Sequence, residues 1–305
     1  SRKIGTTKRG IAYAYMDKTS RDEVQFADII DSGRLREKLD WMLPAKREYL
    51  EFLGATDDQI ERALDTEWLF ETGERLRAYC TDVSREVNSA IAEGRSVLAE
   101  GAQGTHLDLI HGTQKFVTSS STIAGSACVS LGVGPKMVDE VVGVVKAYIT
   151  RVGEGPLPTE QHGEVGEHLQ QRGVEYGTTT GRARRCGWFD VPLVKKSIAL
   201  NGYTSLTLTK LDVLTGLSPV RICTSYELDG EVVDYPPELT SELERCIPVY
   251  ENVEGWNDDI SGARRLDYLP DAALAYVRTR EHMLGVPITM VSVGASREQM
   301  IRVEG

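Results

Sequence analysis

From Ser96 onward the chain alternates short apolar or β-branched runs with stretches of helical period, and this alternation constrains the fold more than any other feature. SVLAEGAQG reads as a buried strand stopped by glycines, and PKMVDEVVGVVKAYITRVG as a helix passing into a β-branched strand. A helix is predicted around 161–172, a Thr/Gly/Arg loop over 177–187, a helix over 188–201, and then the strand SLTLTKLD. VRICTSYEL and IPVYENV read as further strands. LPDAALAYVRTREHMLG has proline near its first helical position and glycine at its end, and it leads into the strand PITMVSVG. Parallel strands need crossover connections, usually helices that cover the sheet. The expected class is therefore α/β, with a mostly parallel central sheet flanked by helices.

The region before Ser96 has a different texture. Over 22–95, Leu, Trp and Ile recur at three- and four-residue spacings among many charges, which predicts two or three amphipathic helices, the last of them long. With no internal repeat and no low-complexity linker, the expectation is a single domain over 1–305, with a helical insertion at 22–95 and a sheet core at 96–305.

Composition excludes several classes. The 305 residues carry a formal charge of −11, from 35 basic and 46 acidic side chains, which disfavours nonspecific nucleic-acid binding. No run approaches the roughly 18 apolar residues of a membrane span. The five cysteines, Cys80, Cys128, Cys186, Cys223 and Cys246, show no CxxC pair and no Cys/His ligand spacing. Reduced thiols in a cytoplasmic protein are expected, rather than a disulfide framework or structural zinc.

Four stretches carry chemistry. TKLD, 209–212, closes a predicted strand. A carboxylate there can accept from both the ring N–H and the exocyclic amine of guanine, a donor pair adenine lacks, while the lysine stem lies along the base. A plain strand terminus fits the same residues. GTTTGRARRCGW, 177–188, places Arg182, Arg184 and Arg185 beside Thr178, Thr179 and Thr180 on a glycine-flanked backbone. Guanidinium groups grip carboxylate or phosphate in a bidentate way, and the alternative is a solvated basic turn. GAQGTHLDLIHGT with VTSSSTIAG, 101–125, offers Gln103 to a base edge and a hydroxyl run to a phosphate, although serine-rich loops are common. His106 and His111 in this stretch read as structural, with no carboxylate or second ligand at helical spacing. GTTKRGIAYAYMDKTSR, 5–21, is a second cationic, hydroxyl-bearing stretch, suited to an anion, a subunit interface or a charged surface loop.

In this order the segments resemble the adenylosuccinate synthetase family, GTP-dependent ligases of purine biosynthesis, from GTTKRG to SVGAS. The resemblance is dense in EGAQGTHLDLIHGT, in VKAYITRVGEGPLPTE, in the arginine loop with GWFD after it, and in TKLD. It implies a P-loop-NTPase-like ligase fold and a nucleotide-binding, GTP-binding, magnesium-using homodimer of the cytoplasm. The implied IMP contacts are Thr7, Gln103, Thr118 and Arg182, with Arg21 reaching the partner subunit's site. The implied aspartate contacts are Thr178, Thr179, Thr180, Gly181, Arg182 and Arg184. Arg184 also serves GTP, whose guanine is taken by Lys210, Leu211 and Asp212 and closed over by Ser292, Val293 and Gly294. Lys18 has an implied electrostatic role. The implied reaction moves the GTP phosphoryl group to the 6-oxygen of IMP, and the aspartate amine then displaces phosphate at C6.

No GxxxxGK or GDEGKGK-like string is present. The resemblance implies that the general base, the general acid and the magnesium ligands lie in a segment before Ser1, so that this sequence is an N-terminally truncated fragment with no catalytic or metal residue of its own. Lys8, Ala12, Tyr13, Ala295 and Ser296 stand where the family usually has other residues, while TKLD is intact. A divergent ligase using another purine monophosphate or amino acid, and a non-catalytic nucleotide-binding fragment, remain the alternatives. The 305-residue chain is expected to form no adenylosuccinate from IMP, GTP and aspartate; product above background in a coupled assay would overturn this.

Overall fold

The computed structural model describes residues 8–177 and 181–303. Two compact units form, one over Gly10–Val97 and one from Leu98 onward. The first is helical: α1 Ile11–Ser20, α2 Phe26–Ile29, α3 Ser32–Phe52, α4 Asp57–Leu64, α5 Glu67–Leu76 and α6 Val83–Ala92. Asp31 starts α3 by accepting from the N–H groups of Gly33 and Arg34, and Thr56 and Gln59 form a capping box on α4. Leu35, Leu39 and Ile60 are its buried apolar residues.

Two expectations here are corrected. The longest helix is α3, of 21 residues, not the last one. The long final helix is broken at the short turn Arg77–Tyr79, and Asp82 caps a new start by accepting from Arg85 N–H. Helical period continues across this break, but a side chain that satisfies a helix N-terminus ends one helix and begins another.

The second unit contains α7 Gly125–Leu131, β1 Val142–Lys146, β2 Ile149–Arg151, α8 Glu164–Arg172, β3 Arg185–Gly187, β4 Phe189–Asp190 and α9 Val191–Asn201. There follow β5 Ser205–Thr209, β6 Val220–Leu228, β7 Glu231–Val233, α10 Thr240–Leu243, β8 Ile247–Val253, α11 Asp271–Leu284, β9 Ile288–Ser292 and β10 Met300–Arg302. The main sheet has the order β1-β5-β9-β10, with β1, β5 and β9 parallel and β10 antiparallel. Leu206, Thr207 and Leu208 of β5 are all buried, so both faces of that strand are covered. Leu169 of α8, Val191 and Val194 of α9, and Ala273, Tyr276 and Val277 of α11 join the same core. The class is thus α/β, with a mostly parallel sheet flanked by helices.

A second sheet was not foreseen: β6 is flanked by β4, in parallel, and by β7 and β8, both antiparallel. β2 and β3 form a separate antiparallel ribbon. The strand expected in SVLAEGAQG is absent: residues 96–104 are exposed and Leu98 is 92% exposed. An apolar run becomes a strand only where a neighbouring strand takes its backbone N–H and C=O groups, and among the described residues no strand pairs with it here. In PKMVDEVVGVVKAYITRVG the expected helix shrinks to the turn Pro135–Met137 ahead of β1.

Asp190 links the two sheets' helical cover to chemistry that pH can probe. Its Oδ1 caps α9 by accepting from Leu193 N–H at 3.1 Å and from the Tyr226 hydroxyl at 2.5 Å, while Oδ2 is buried without a partner. Burial pushes the carboxyl up from 3.8 to about 7, against the lowering effect of those two bonds. A carboxyl whose folded-state value is raised contributes fully below its unfolded value, and that contribution is lost as pH rises through the folded value. Asp190→Asn keeps the capping oxygen and removes the titration. The melting temperature of the variant relative to wild type is expected to climb between pH 4 and pH 8; a pH-independent difference in thermal melts would contradict the assignment.

Candidate functional site

β5 and β9 lie side by side in parallel, with Leu208 opposite Val291, so both strands release the chain at the same edge of the sheet. Ligands of α/β sheets bind at such carboxyl-terminal strand ends. After Thr209, Lys210 adopts a left-handed backbone (φ 61°) and the turn Leu211–Leu214 begins. Leu211 is fully buried, while Asp212 accepts from Arg172 Nε on its carbonyl at 3.1 Å. The side-chain Oδ1 of Asp212 is buried with no partner, and burial raises its pKa. After β9, Ser292 donates to Gly294 O at 2.8 Å, and Val293 N–H donates to Gln299 O at 2.9 Å. Gln299 lies directly on Gly294, where a Cβ would fall 2.2 Å from its Oε1. Ser296 N–H holds that same oxygen at 3.0 Å, and Ser296 caps the following turn.

The arginine loop rises from a short antiparallel stem. Tyr176 bridges Ala183, Gly177 N–H donates to Arg182 O at 2.7 Å, and Arg184 N–H donates to Glu175 O at 2.8 Å. At the foot of the stem Glu175 is completely buried. Its carboxylate accepts from Lys146 Nζ at 2.7 and 2.8 Å, from the Tyr148 hydroxyl at 2.6 Å and from Arg184 Nη1 at 2.6 Å. Lys210 Nζ lies 3.3 Å from the same carboxylate and also bonds Gly173 O. Burial alone would raise the Glu175 carboxyl; these donors override it and hold the group down at about 2.

Arg182 and Arg185 line a cleft of about 760 Å³ together with Glu160 and His162. Arg185 is committed to the scaffold: Nε donates to Glu160 at 2.8 Å, Nη2 pairs with the same carboxylate, and Nη1 reaches Gly153 O and Gly155 O at 3.2 and 2.7 Å. Arg182 is exposed at the cleft, and Gly181 has a left-handed backbone (φ 64°). Thr178, Thr179 and Thr180, like Thr7, lie outside the described residues.

The loop with Gln103 and Thr118 is organised by Asp108. Its Oδ1 accepts from Ile110 and His111 N–H, both at 2.9 Å, and its Oδ2 from Ser121 Oγ at 2.9 Å and Thr122 N–H at 2.7 Å. Burial opposes ionisation, but the bonds from His111, Thr122, Ile110 and Ser121 hold the carboxyl far below the usual range. The loop docks on α9 through Asn201, which donates to Thr105 Oγ1 and accepts from Ala124 N–H, and through His106, whose Nε2 meets Leu193 O at 3.0 Å. Burial depresses His106 to about 4, so the ring is neutral and donates to Leu193 O as a structural peg. Thr118 N–H donates to Leu107 O at 2.8 Å, while Gln103 is exposed with φ 61°. In the helical unit Lys18 is exposed on α1, whose left-handed C-cap is Arg21 (φ 70°) and which also carries Ala12 and Tyr13. Lys8 also has a left-handed backbone, at φ 55°.

The family model of adenylosuccinate synthetase matches residues 1–301. The chain belongs to the adenylosuccinate synthetase family. It is 57% identical over 303 residues to the adenylosuccinate synthetase of Methanosarcina barkeri, covering 99% of this chain and 72% of that protein. The enzyme of Methanococcoides burtonii is 59% identical over 297 residues, covering 97% and 70%. A solved structure, fully ligated adenylosuccinate synthetase from Plasmodium falciparum, superposes with a TM-score of 0.93 at 36% identity, covering 99% of this chain and 71% of that one.

Adenylosuccinate synthetases use GTP and magnesium. Among the described residues no group of three or more His, Cys, Asp or Glu could hold a metal ion. The sequence reading of this family member missed Glu175, Lys146, Tyr148 and Asp108. A signal existed for two of them: Glu175 is a lone acid just before a basic loop, and Lys146 is a charge inside an apolar strand. Asp108→Ala should cost about 2 kcal/mol in denaturant unfolding, because four donors lose one acceptor group. Hydrogen exchange is expected to lose protection at Ile110, His111 and Thr122 and to keep it in β5; protection unchanged in the loop would remove Asp108 as its organiser.

Proposed function

We propose that this chain carries the guanine-reading and anion-binding surfaces of a ligase that joins IMP to L-aspartate at the expense of GTP, in purine biosynthesis. Adenylosuccinate, GDP and phosphate are the products, and 6-phosphoryl-IMP is the intermediate. The observation that carries this reading is Asp212 Oδ1, buried and unpartnered at the carboxyl-terminal edge of the parallel sheet. A desolvated carboxylate oxygen without a donor is costly, and the N1–H and 2-amino groups of guanine supply the missing donors. Lys210 lies along the base, Leu211 anchors the turn, and the Ser292, Val293 and Gly294 backbone closes the pocket.

Arg184 answers GTP and the aspartate carboxylate. Arg182 serves aspartate and IMP from the cleft it shares with His162 and Glu160. Thr178, Thr179, Thr180 and Gly181 add hydroxyl and backbone donors to the aspartate, and Thr7, Gln103 and Thr118 complete the IMP contacts. Arg21 reaches across a homodimer to the partner subunit's site, and Lys18 acts electrostatically. In the first step N1 of IMP gives up its proton to a general base as the 6-oxygen bonds the γ-phosphorus, the bond from that phosphorus to the bridging oxygen breaks, and GDP leaves. In the second the aspartate amine attacks C6, and the phosphorylated oxygen departs as phosphate with the amine losing a proton. Both steps build negative charge on oxygens, which the guanidinium groups stabilise.

The proposed compartment is the cytoplasm. Among the described residues no helix is long and apolar enough to cross a membrane, and the five unpaired thiols suit a reducing environment.

Asp212→Asn tests the guanine contact without turnover. GDP binding measured by calorimetry is expected to weaken roughly tenfold to a hundredfold, as for loss of a buried polar contact. Xanthosine diphosphate, with a carbonyl at the 2-position, should gain affinity for the variant. Unchanged base preference would take Asp212 out of the pocket.

A further inference from the structure

We propose that Glu175 is a positioning residue that ties the anion-binding arginine loop to the guanine-reading strand end, so that guanine nucleotide and aspartate bind with mutual coupling transmitted through its carboxylate. The inference rests on the site reading above and adds the link between its two halves. Two of the four side chains on Glu175 are groups assigned to ligands: Arg184 from the loop stem and Lys210 from the end of β5. The other two, Lys146 and Tyr148, come from β1 and the residues after it and touch no proposed ligand.

The geometry separates a fixed centre from movable arms. Glu175 has no exposed side-chain surface, whereas the side chains of Arg184 and Lys210 are 26% and 35% exposed. Each arm has one end in the buried cluster and a part facing water. The backbone reinforces the link, since Arg184 N–H bonds the carbonyl of Glu175 itself and Gln170 Nε2 holds Arg184 O at 3.0 Å.

An anion arriving at Arg184 has to draw the guanidinium from the carboxylate at 2.6 Å. The first ligand to do so bears that cost, and the second meets an arm already released. The result is positive coupling, reciprocal between the two ligands by thermodynamic necessity. Once Arg184 leaves, Lys146 and Lys210 remain to neutralise Glu175, so release does not strand a buried charge. A surplus of cations around one carboxylate is what permits one of them to move.

The test uses the chain itself, with IMP saturating and GDP in place of GTP so that nothing turns over. GDP affinity is measured by calorimetry with and without saturating aspartate. Wild type is expected to bind GDP at least about fivefold more tightly when aspartate is present. In Glu175→Gln the pull on Arg184 is gone: GDP alone should bind as tightly as to wild type or tighter, while the aspartate effect falls within about twofold of unity. A purely structural role predicts the opposite for GDP alone, namely weaker binding.

Tyr148→Phe removes a neutral donor from the same carboxylate and should retain the coupling. If Glu175→Gln does not fold, the charge-balanced double variant Lys146→Met with Glu175→Gln replaces it, with the same loss of coupling expected. Absence of coupling in wild type, its survival in Glu175→Gln, or its loss in Tyr148→Phe would each overturn the proposal while leaving the site reading intact. Failure of wild type to bind GDP at all would overturn both.

Discussion

Glu175 is a carboxylate with no exposed surface, and a charge taken out of water holds the fold to strict terms. It must be matched by cations with good geometry, so parts of the chain far apart in sequence have to converge on it. Lys146 arrives at the end of β1, Tyr148 just after it, Lys210 at the end of β5 and Arg184 from the loop stem. Gly173 is part of the same arrangement: a Cβ there would sit 2.2 Å from the Tyr148 hydroxyl. The parallel pairing of β1 with β5 is what brings Lys146 level with Thr209, one residue before Lys210. Sheet register and site electrostatics are therefore one constraint seen from two sides.

Four buried or half-buried acids in this unit show how donor count decides charge. Asp108 has four donors and Glu175 has three cations and a hydroxyl; both are held ionised well below their ordinary values. Asp190 has two donors, both on Oδ1, and burial wins, lifting it to about 7. Asp212 has a buried oxygen with none, and it too is raised. The difference between the last two lies in their surroundings. Asp190 is completely buried at the start of α9, whereas Asp212 is only half-buried at the sheet edge.

Much of the fold was legible in the sequence because the relevant forces are local. Alternating Leu206 and Leu208 announced β5, and Gly285 announced the end of α11, which closes with a left-handed cap. Local reading failed where the outcome depends on a partner. SVLAE has the composition of a buried strand and is exposed, because a strand is defined by its neighbours. The antiparallel sheet around β6 escaped notice because pairing direction leaves little trace in a run of apolar residues. In the helical unit, Asp82 split a continuous periodic stretch that hydrophobic spacing alone reads as one helix.

The candidate site divides the same way. TKLD and the arginine-rich loop stand out as strings because residues of these types rarely cluster in this order, so the chain by itself determined the family to which it belongs. How tightly an arginine is held at the cleft was decided only by tertiary structure: Arg185, one of the two arginines that line it, is claimed by Glu160 and two backbone carbonyls. Likewise only folding joined Glu175 to Lys210, 35 positions along the chain, because the energy of a buried charge depends on what surrounds it in space and not on what precedes it in sequence.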